Sequence, residues 1–418
     1  PNRLVQHWKT IAFSSALVLL LISLTLVIVR KGAQAFSAWQ TSRQHAVHSA
    51  SRPTPLGDQL YAVADGLLPR ATHQGNHLTA TAEDGTVLSY TINAELQRQV
   101  TSYLETTRPA YAVLVALEPG SGRILSLAGY SSLDPAWQQA AAYQTYPMAS
   151  LFKMVTAAAA LENRKISPET VMAFRGRLVS ETPKNWDPHP RGRNLQMDLS
   201  TAMAKSVNPV YGLVASELLG KEQLQQACNR FGFNRSLLLP GVPAVPSLAP
   251  QPETVYELRL QGCGLDHGLK VSPIHAAAIT AAIANRGNLM APRLVEQASR
   301  NGKPLEVPAP KVIERVMSPE TANSLNRMLL TTVTSGTSRR AFRSGEGRQL
   351  VHEMQIAAKT GSIDGDNPKG HYSWFAAYAP ADQPRIALVA LVINGDKWKI
   401  KASQLGEQAL SAFFRQDR

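Results

Sequence analysis

The sequence predicts an α+β fold, and three observations point there. Strand-like segments cluster near both ends of the folded part, at 77–128 and again at 355–392. A long helix-rich stretch, 151–332, separates them. Residues 11–29 form a run of nineteen residues without a charge, set apart from the rest of the 418-residue chain.

That run, IAFSSALVLLLISLTLVIV, would extend about 28 Å as a helix, close to the ~30 Å hydrocarbon core of a bilayer. It is apolar on every face, unlike a helix that packs on a soluble core. A cleaved signal peptide is the rival, because Ala33-Gln34-Ala35 has the form of a cleavage site. The run exceeds the ~7–15 residues usual for such a segment, and Arg30-Lys31 places charge before the site, so an uncleaved transmembrane anchor is expected. Residues 32–88 are rich in Ala, Ser, His, Gln and Pro and read as a short juxtamembrane linker with local helix at 59–68. A hairpin is expected from 77–82 and 86–92 around Glu83-Asp84-Gly85, followed by a helix capped by Asn93. Residues 111–117 and 123–128 flank Pro119-Gly120-Ser121-Gly122 and read as a buried hairpin. Helices are expected at 151–162, 199–219, 274–285 and 319–332. Strands return at 355–359, 373–378 and 386–392, and a last helix spans 402–414. Strands from distant segments must share one antiparallel sheet, with a helical lobe between them.

Composition excludes disorder: 44% of residues are hydrophobic and 17% charged. The net charge of +13 favours anionic partners, but the basic residues are scattered and no nucleic-acid recognition motif accompanies them. Nucleic acid is therefore not an expected partner. Cys228 and Cys263 have no Cys or His neighbour at metal-ligand spacing, so neither a metal nor a cofactor is expected. One disulfide and two buried thiols both remain open.

Three short motifs carry the chemistry. Ser150-Leu151-Phe152-Lys153 opens an Ala-rich helix, so Lys153 lies on the face of Ser150, where a neutral amine can take the hydroxyl proton. Lysine is neutral near pH 7 only when burial or a nearby cation lowers its pKa. Ser206-Val207-Asn208 offers a hydroxyl and an amide two residues apart, on or ending a helix; the same spacing recurs at Ser299-Arg300-Asn301 and Ser324-Leu325-Asn326. Lys359-Thr360-Gly361-Ser362 ends a strand with a cation, hydroxyls and a glycine that lets another backbone lie close, a combination suited to a carboxylate. Each motif alone is weak. Their order, with separations of 56 and then 153 residues, is that of the serine acyl-enzymes of cell-wall synthesis and penicillin resistance.

The sequence resembles the transpeptidase domain of penicillin-binding proteins over roughly 89–408. Beyond the motifs, the likeness is carried by Tyr90-Thr91-Ile92-Asn93, Leu117-Glu118-Pro119-Gly120-Ser121-Gly122-Arg123, Leu199 to Asn208, Leu269 to Pro273, Ala284 to Gly287, Gly336-Thr337 and Trp374 to Pro380. The context at 199–208 is what selects Ser206. The resemblance implies the fold shared with serine β-lactamases, an antiparallel sheet flanked by helices plus a helical lobe. It implies a peptidoglycan D,D-transpeptidase in which Ser150 attacks a terminal D-Ala-D-Ala, Lys153 is the general base and Ser206 relays protons. Asn208 would bind the donor's amide. Lys359 would supply the positive potential that keeps Lys153 neutral and, with Thr360, Gly361 and Ser362, would bind the terminal carboxylate. The backbone N–H groups of Ser150 and Ser362 would form the oxyanion hole. Stem peptides are the implied substrates and β-lactams the covalent inhibitors.

An extracytoplasmic substrate sets the orientation of the anchor at 11–29, with the catalytic domain outside the inner membrane, in the periplasm. The expected organisation is 1–31 cytoplasmic tip and anchor, 32–88 linker, 89–418 catalytic domain. No polymerase domain fits in 32–88, so a membrane glycosyltransferase is the expected partner. Ser362 stands where threonine is common, and Gln261-Gly262-Cys263-Gly264 matches the family's glycine-rich stretch only loosely. The rivals are a D,D-carboxypeptidase, a β-lactamase or β-lactam sensor, and an inactive scaffold of a wall-synthesis complex. No extra carboxylate motif for deacylation is found, and intact Ser150, Lys153 and Lys359 argue against a scaffold.

Overall fold

Nine consecutive buried residues, Ile386–Asn394, form a strand covered on both faces, and the molecule is built around it. The computed structural model describes residues 59–75, 77–163, 166–236 and 241–417. The expected span at 11–29 lies outside them; no helix among the described residues is long and apolar enough to cross a membrane.

The central sheet has five strands, β1 (Tyr111–Leu117), β2 (Ile124–Ser131), β3 (Ala357–Asp366), β4 (Lys369–Ala379) and β5 (Ile386–Asn394). They pair antiparallel in the order β3-β4-β5-β1-β2, which joins segments more than 200 residues apart, as the sequence pattern requires. β3 is therefore an edge strand, and its free side is available to line a site.

Among the helices that enclose this sheet and the cleft beside it are α1 (Ala94–Thr107), α2 (Lys153–Glu162), α3 (Leu199–Ala204), α4 (Asn208–Leu213), α5 (Val255–Cys263), α6 (Pro273–Ala284), α7 (Pro319–Thr334) and α8 (Ala402–Arg415). α1 and α8 cover one face of the sheet, with Leu96, Val100, Leu104, Leu405 and Leu410 packed on Leu114, Phe375 and Leu388. α6 covers the other face and joins it to the helical lobe. Every residue of α6 is buried, which its Ala- and Ile-rich sequence allows. Asn93 caps α1 as expected, its Oδ1 accepting from the Leu96 N–H.

A second five-stranded sheet pairs Thr72–Gln74, His77–Thr81 and Thr86–Tyr90 with Val295–Arg300 and Lys303–Leu305. The strand Thr86–Tyr90 runs through the expected 88/89 boundary, so the segment before the catalytic domain is stitched to it by a β-ladder.

Two expected elements differ. The helix expected over 199–219 is interrupted: α3 ends at Ala204, Ser206 takes a left-handed φ of 56°, and α4 restarts at Asn208 before a widened π turn over Val214–Leu219. Pro209 explains the break, because it has no N–H for a continuous helix and suits the first turn of a new one. The motif at 359–362 does not end a strand. It lies inside the ten-residue β3, whose polar tail pairs with β4 as far as Asp366 and Lys369.

Candidate active site

Ser150 sits in a tight turn clamped from two sides. The chain arrives from the two-residue strand Tyr146–Pro147, passes Ala149 at φ 53°, and makes a 3₁₀ turn over Ala149–Phe152 before α2 begins. A left-handed alanine is sparsely populated and persists only where its surroundings fix it. Gly264, the left-handed cap of α5, does so from below: a Cβ there would lie 2.0 Å from the Ala149 carbonyl oxygen. Gly361 of β3 closes from the other side, where a Cβ would lie 3.3 Å from the Ser150 nitrogen. The Trp374 indole N–H also donates to the Pro147 carbonyl at 2.8 Å.

Lys153 lies one helical turn beyond Ser150 and is completely buried. Its Nζ is 2.7 Å from Ser150 Oγ, 2.8 Å from Asn208 Oδ1 and 2.7 Å from the Cys263 carbonyl oxygen. Burial, only partly opposed by Cys263, lowers its pKa to about 8. A neutral lysine holding the serine hydroxyl is thus accessible near physiological pH.

Lys359 is also completely buried, and its Nζ donates to Ser206 Oγ at 2.8 Å and to the Thr360 carbonyl at 2.6 Å. Burial, and then the charge of Lys153, hold its ammonium well below the usual lysine range. Lys359 stands behind the Ser206 hydroxyl and the Thr360 backbone, so its charge reaches the cleft as a field. In the unliganded protein burial, and not the charge of Lys359, is the largest cause of the Lys153 shift.

The cleft in front of these groups holds about 540 Å³ and is lined by Ser150, Ser206, Asn208, Thr360, Gly361 and Ser362. The structure thus brings the three motifs together. Neither of the other S-x-N matches lines this cleft. Asn208 is spoken for on two atoms, since Oδ1 accepts from Lys153 and Nδ2 donates to the Ser180 carbonyl at 3.2 Å. The 180s loop that supplies that carbonyl is pinned by the buried Trp186, whose indole donates to Ser180 Oγ, and by Arg259 on Asp187 at 2.6 and 2.8 Å.

Several working parts escaped the sequence. The Cys263 and Ser180 carbonyls have no side-chain signature, because backbone oxygens come with every residue. Gly264 was visible as a loose glycine match, and it stands where the Ser150 turn needs it. Cys228 and Cys263 are both free and buried, so the thiol alternative holds.

Residues 112–412 match the family described as the penicillin binding protein transpeptidase domain. The chain belongs to that family. It is 28% identical over 325 residues to the peptidoglycan D,D-transpeptidase PbpA of Mycolicibacterium smegmatis, covering 69% of this chain and 62% of that protein. It is 25% identical over 334 residues to stage V sporulation protein D of Bacillus subtilis, covering 75% of this chain and 50% of that protein. The chain thus spans less than two thirds of the length of these curated relatives. Among solved structures, PBPA from Mycobacterium tuberculosis superposes with a TM-score of 0.64 at 24% identity, covering 78% of this chain and 81% of that one. The same protein has been solved as an imipenem acyl-enzyme complex, with a TM-score of 0.63, 24% identity, and shares of 78% and 79%. These likenesses establish the penicillin-binding transpeptidase fold.

Proposed function

We propose that the chain is a serine D,D-transpeptidase that cross-links peptidoglycan stem peptides and is acylated by β-lactams at Ser150. The observation that carries this reading is the buried Lys153 Nζ, 2.7 Å from Ser150 Oγ with its pKa lowered to about 8. Ser150 Oγ attacks the carbonyl of the terminal D-Ala-D-Ala bond while Lys153 takes its proton. The C–N bond breaks, the proton passes to the leaving amine through Lys153 and Ser206, and D-alanine departs. The acyl-enzyme ester is then opened by an amine of a second stem peptide, with the amine's proton returning to Ser150 Oγ.

Thr360 and Ser362 hold the substrate carboxylate, with the Lys359 field behind them. A bound carboxylate favours the charged form of Lys359, and that charge pushes the proton off Lys153. Asn208, which keeps one amide N–H free of the bonds described, orients the donor peptide. The Ser150 N–H and an N–H of the free edge of β3, that of Ser362, face the developing oxyanion, where one donor contributes ~2.7–4 kcal/mol. The chain is anchored in the inner membrane by 11–29, its catalytic domain lies outside the cytoplasm, and a membrane glycosyltransferase supplies the glycan strands.

The test uses the purified full chain in detergent with a pentapeptide ending in D-Ala-D-Ala and an added amine acceptor. Release of D-alanine with amide product supports the transpeptidase. Release with only hydrolysed peptide would make it a carboxypeptidase, and no release on folded protein would overturn the acyl-enzyme reading.

A further inference from the structure

The catalytic cleft continues past its far wall. Thr337, Lys401 and Ser403 line it and also line a second cavity of about 630 Å³. This cavity lies between α1, the 340–346 segment and the first turns of α8, with Tyr103, Arg340, Ser344 and Glu407 in its walls. Glu407 is 6% exposed and accepts hydrogen bonds from Gln408 and Ser411, both at 2.9 Å, yet it makes no ion pair among the described residues. Arg340, at the open side, also has no ion-pair partner among them. Glu346 and Arg415, also in its walls, pair with each other, which leaves Arg340 and Lys401 as cations with no ion pair among the described residues, suited to a peptide carboxylate.

Chemistry fixes which peptide must pass this way. In acyl transfer between amines, the attacking amine occupies the position vacated by the leaving amine, because each direction of the step retraces the other. The leaving D-alanine extends from that position toward Thr360, whose hydroxyl is hydrogen-bonded to that of Thr337. The rest of an acceptor strand must therefore run over Thr337, the residue shared by both cavities. We propose that the second cavity is the acceptor-strand subsite, receiving an acidic peptide whose amine enters the catalytic cleft across Thr337 while Arg340 meets its carboxylate. This rests on the transpeptidase reading above.

The test acylates the full-length protein with a D-alanyl thioester donor and offers two acceptors. One is D-alanine, which is small enough to stay in the catalytic cleft. The other is N-acetyl-alanyl-glutamyl-lysine, whose only amine is the lysine side chain. The variants are Arg340→Glu, at an exposed charge, and Ser344→Trp, which fills the cavity from an exposed position. Both should be acylated by fluorescent penicillin within twofold of the wild type and should keep D-alanine exchange. Both should lose at least tenfold in tripeptide transfer relative to hydrolysis. Wild-type tripeptide transfer by both variants would overturn the subsite while leaving the transpeptidase intact. Absence of acylation in the wild type would overturn both readings.

Discussion

The pH dependence of Ser150 acylation is set by the Lys153 geometry. Lys153 must be neutral to accept the serine proton, so the rate rises with pH until the amine is fully deprotonated. With a pKa of about 8 the neutral fraction is about 1% at pH 6, about 9% at pH 7 and about 91% at pH 9. An ordinary lysine near 10.5 would be neutral in only about 0.03% of molecules at pH 7, so burial raises the competent fraction roughly 300-fold. The assay is the second-order acylation rate constant at low penicillin, by stopped flow from pH 6 to pH 9.5. At low drug the rate constant reports the free protein, so its rising limb follows the Lys153 pKa of about 8. The expected result is a rise of about ninetyfold from pH 6 to pH 9 with an inflection near 8. Lys153→Met should lower the rate at pH 8 by about 10²–10⁴-fold and flatten the profile. A wild-type rate flat from pH 6 to pH 9, or one still climbing steeply at pH 9.5, would refute Lys153 as the base.

Other perturbations reach different parts of the site. Asn208→Ala strips Lys153 of one acceptor and orphans the Ser180 carbonyl; it should lower unfolding stability by about 1–3 kcal/mol by urea titration and slow acylation. Gly264→Ala places a methyl 2.0 Å from the Ala149 oxygen at a left-handed position, so it should destabilise by more than about 2 kcal/mol and abolish penicillin labelling. His275 is buried, bonded to Ser247 and Phe231, and its pKa is lowered to about 4. Because the unfolded chain binds that proton from pH 6.5 downward, stability should fall by roughly 3 kcal/mol between pH 6.5 and pH 4, and His275→Gln should blunt the loss in a melting series.

Much of the architecture was legible because periodicity reports burial directly. The apolar run at 386–392 and the Ala-rich start of α2 have few alternatives in water, and the partners of that run across the sheet are recognisable by being equally apolar. The three motifs were readable because their side chains carry the chemistry. The break at Ser206 was harder: the helical pattern continues past it, and only Pro209 marks the restart. The hairpin Val171–Phe174 with Leu195–Asp198 was missed because its strands are short and mostly half-buried or exposed with no alternation. The position of Lys359 behind the cleft wall was not legible either. It depends on how β3 packs on α7 and α7 on α3, which is a tertiary outcome.

The central claim is that Ser150 is the nucleophile of an acyl-enzyme. The most direct measurement incubates the full-length protein with fluorescent penicillin and maps the adduct by tryptic mass spectrometry, beside Ser150→Ala. The account predicts one stable adduct on the peptide containing Ser150 and none on the variant, with both proteins giving the same circular dichroism spectrum. An adduct on the Ser150→Ala protein, or a folded wild type that stays unlabelled at high drug concentration, would contradict it.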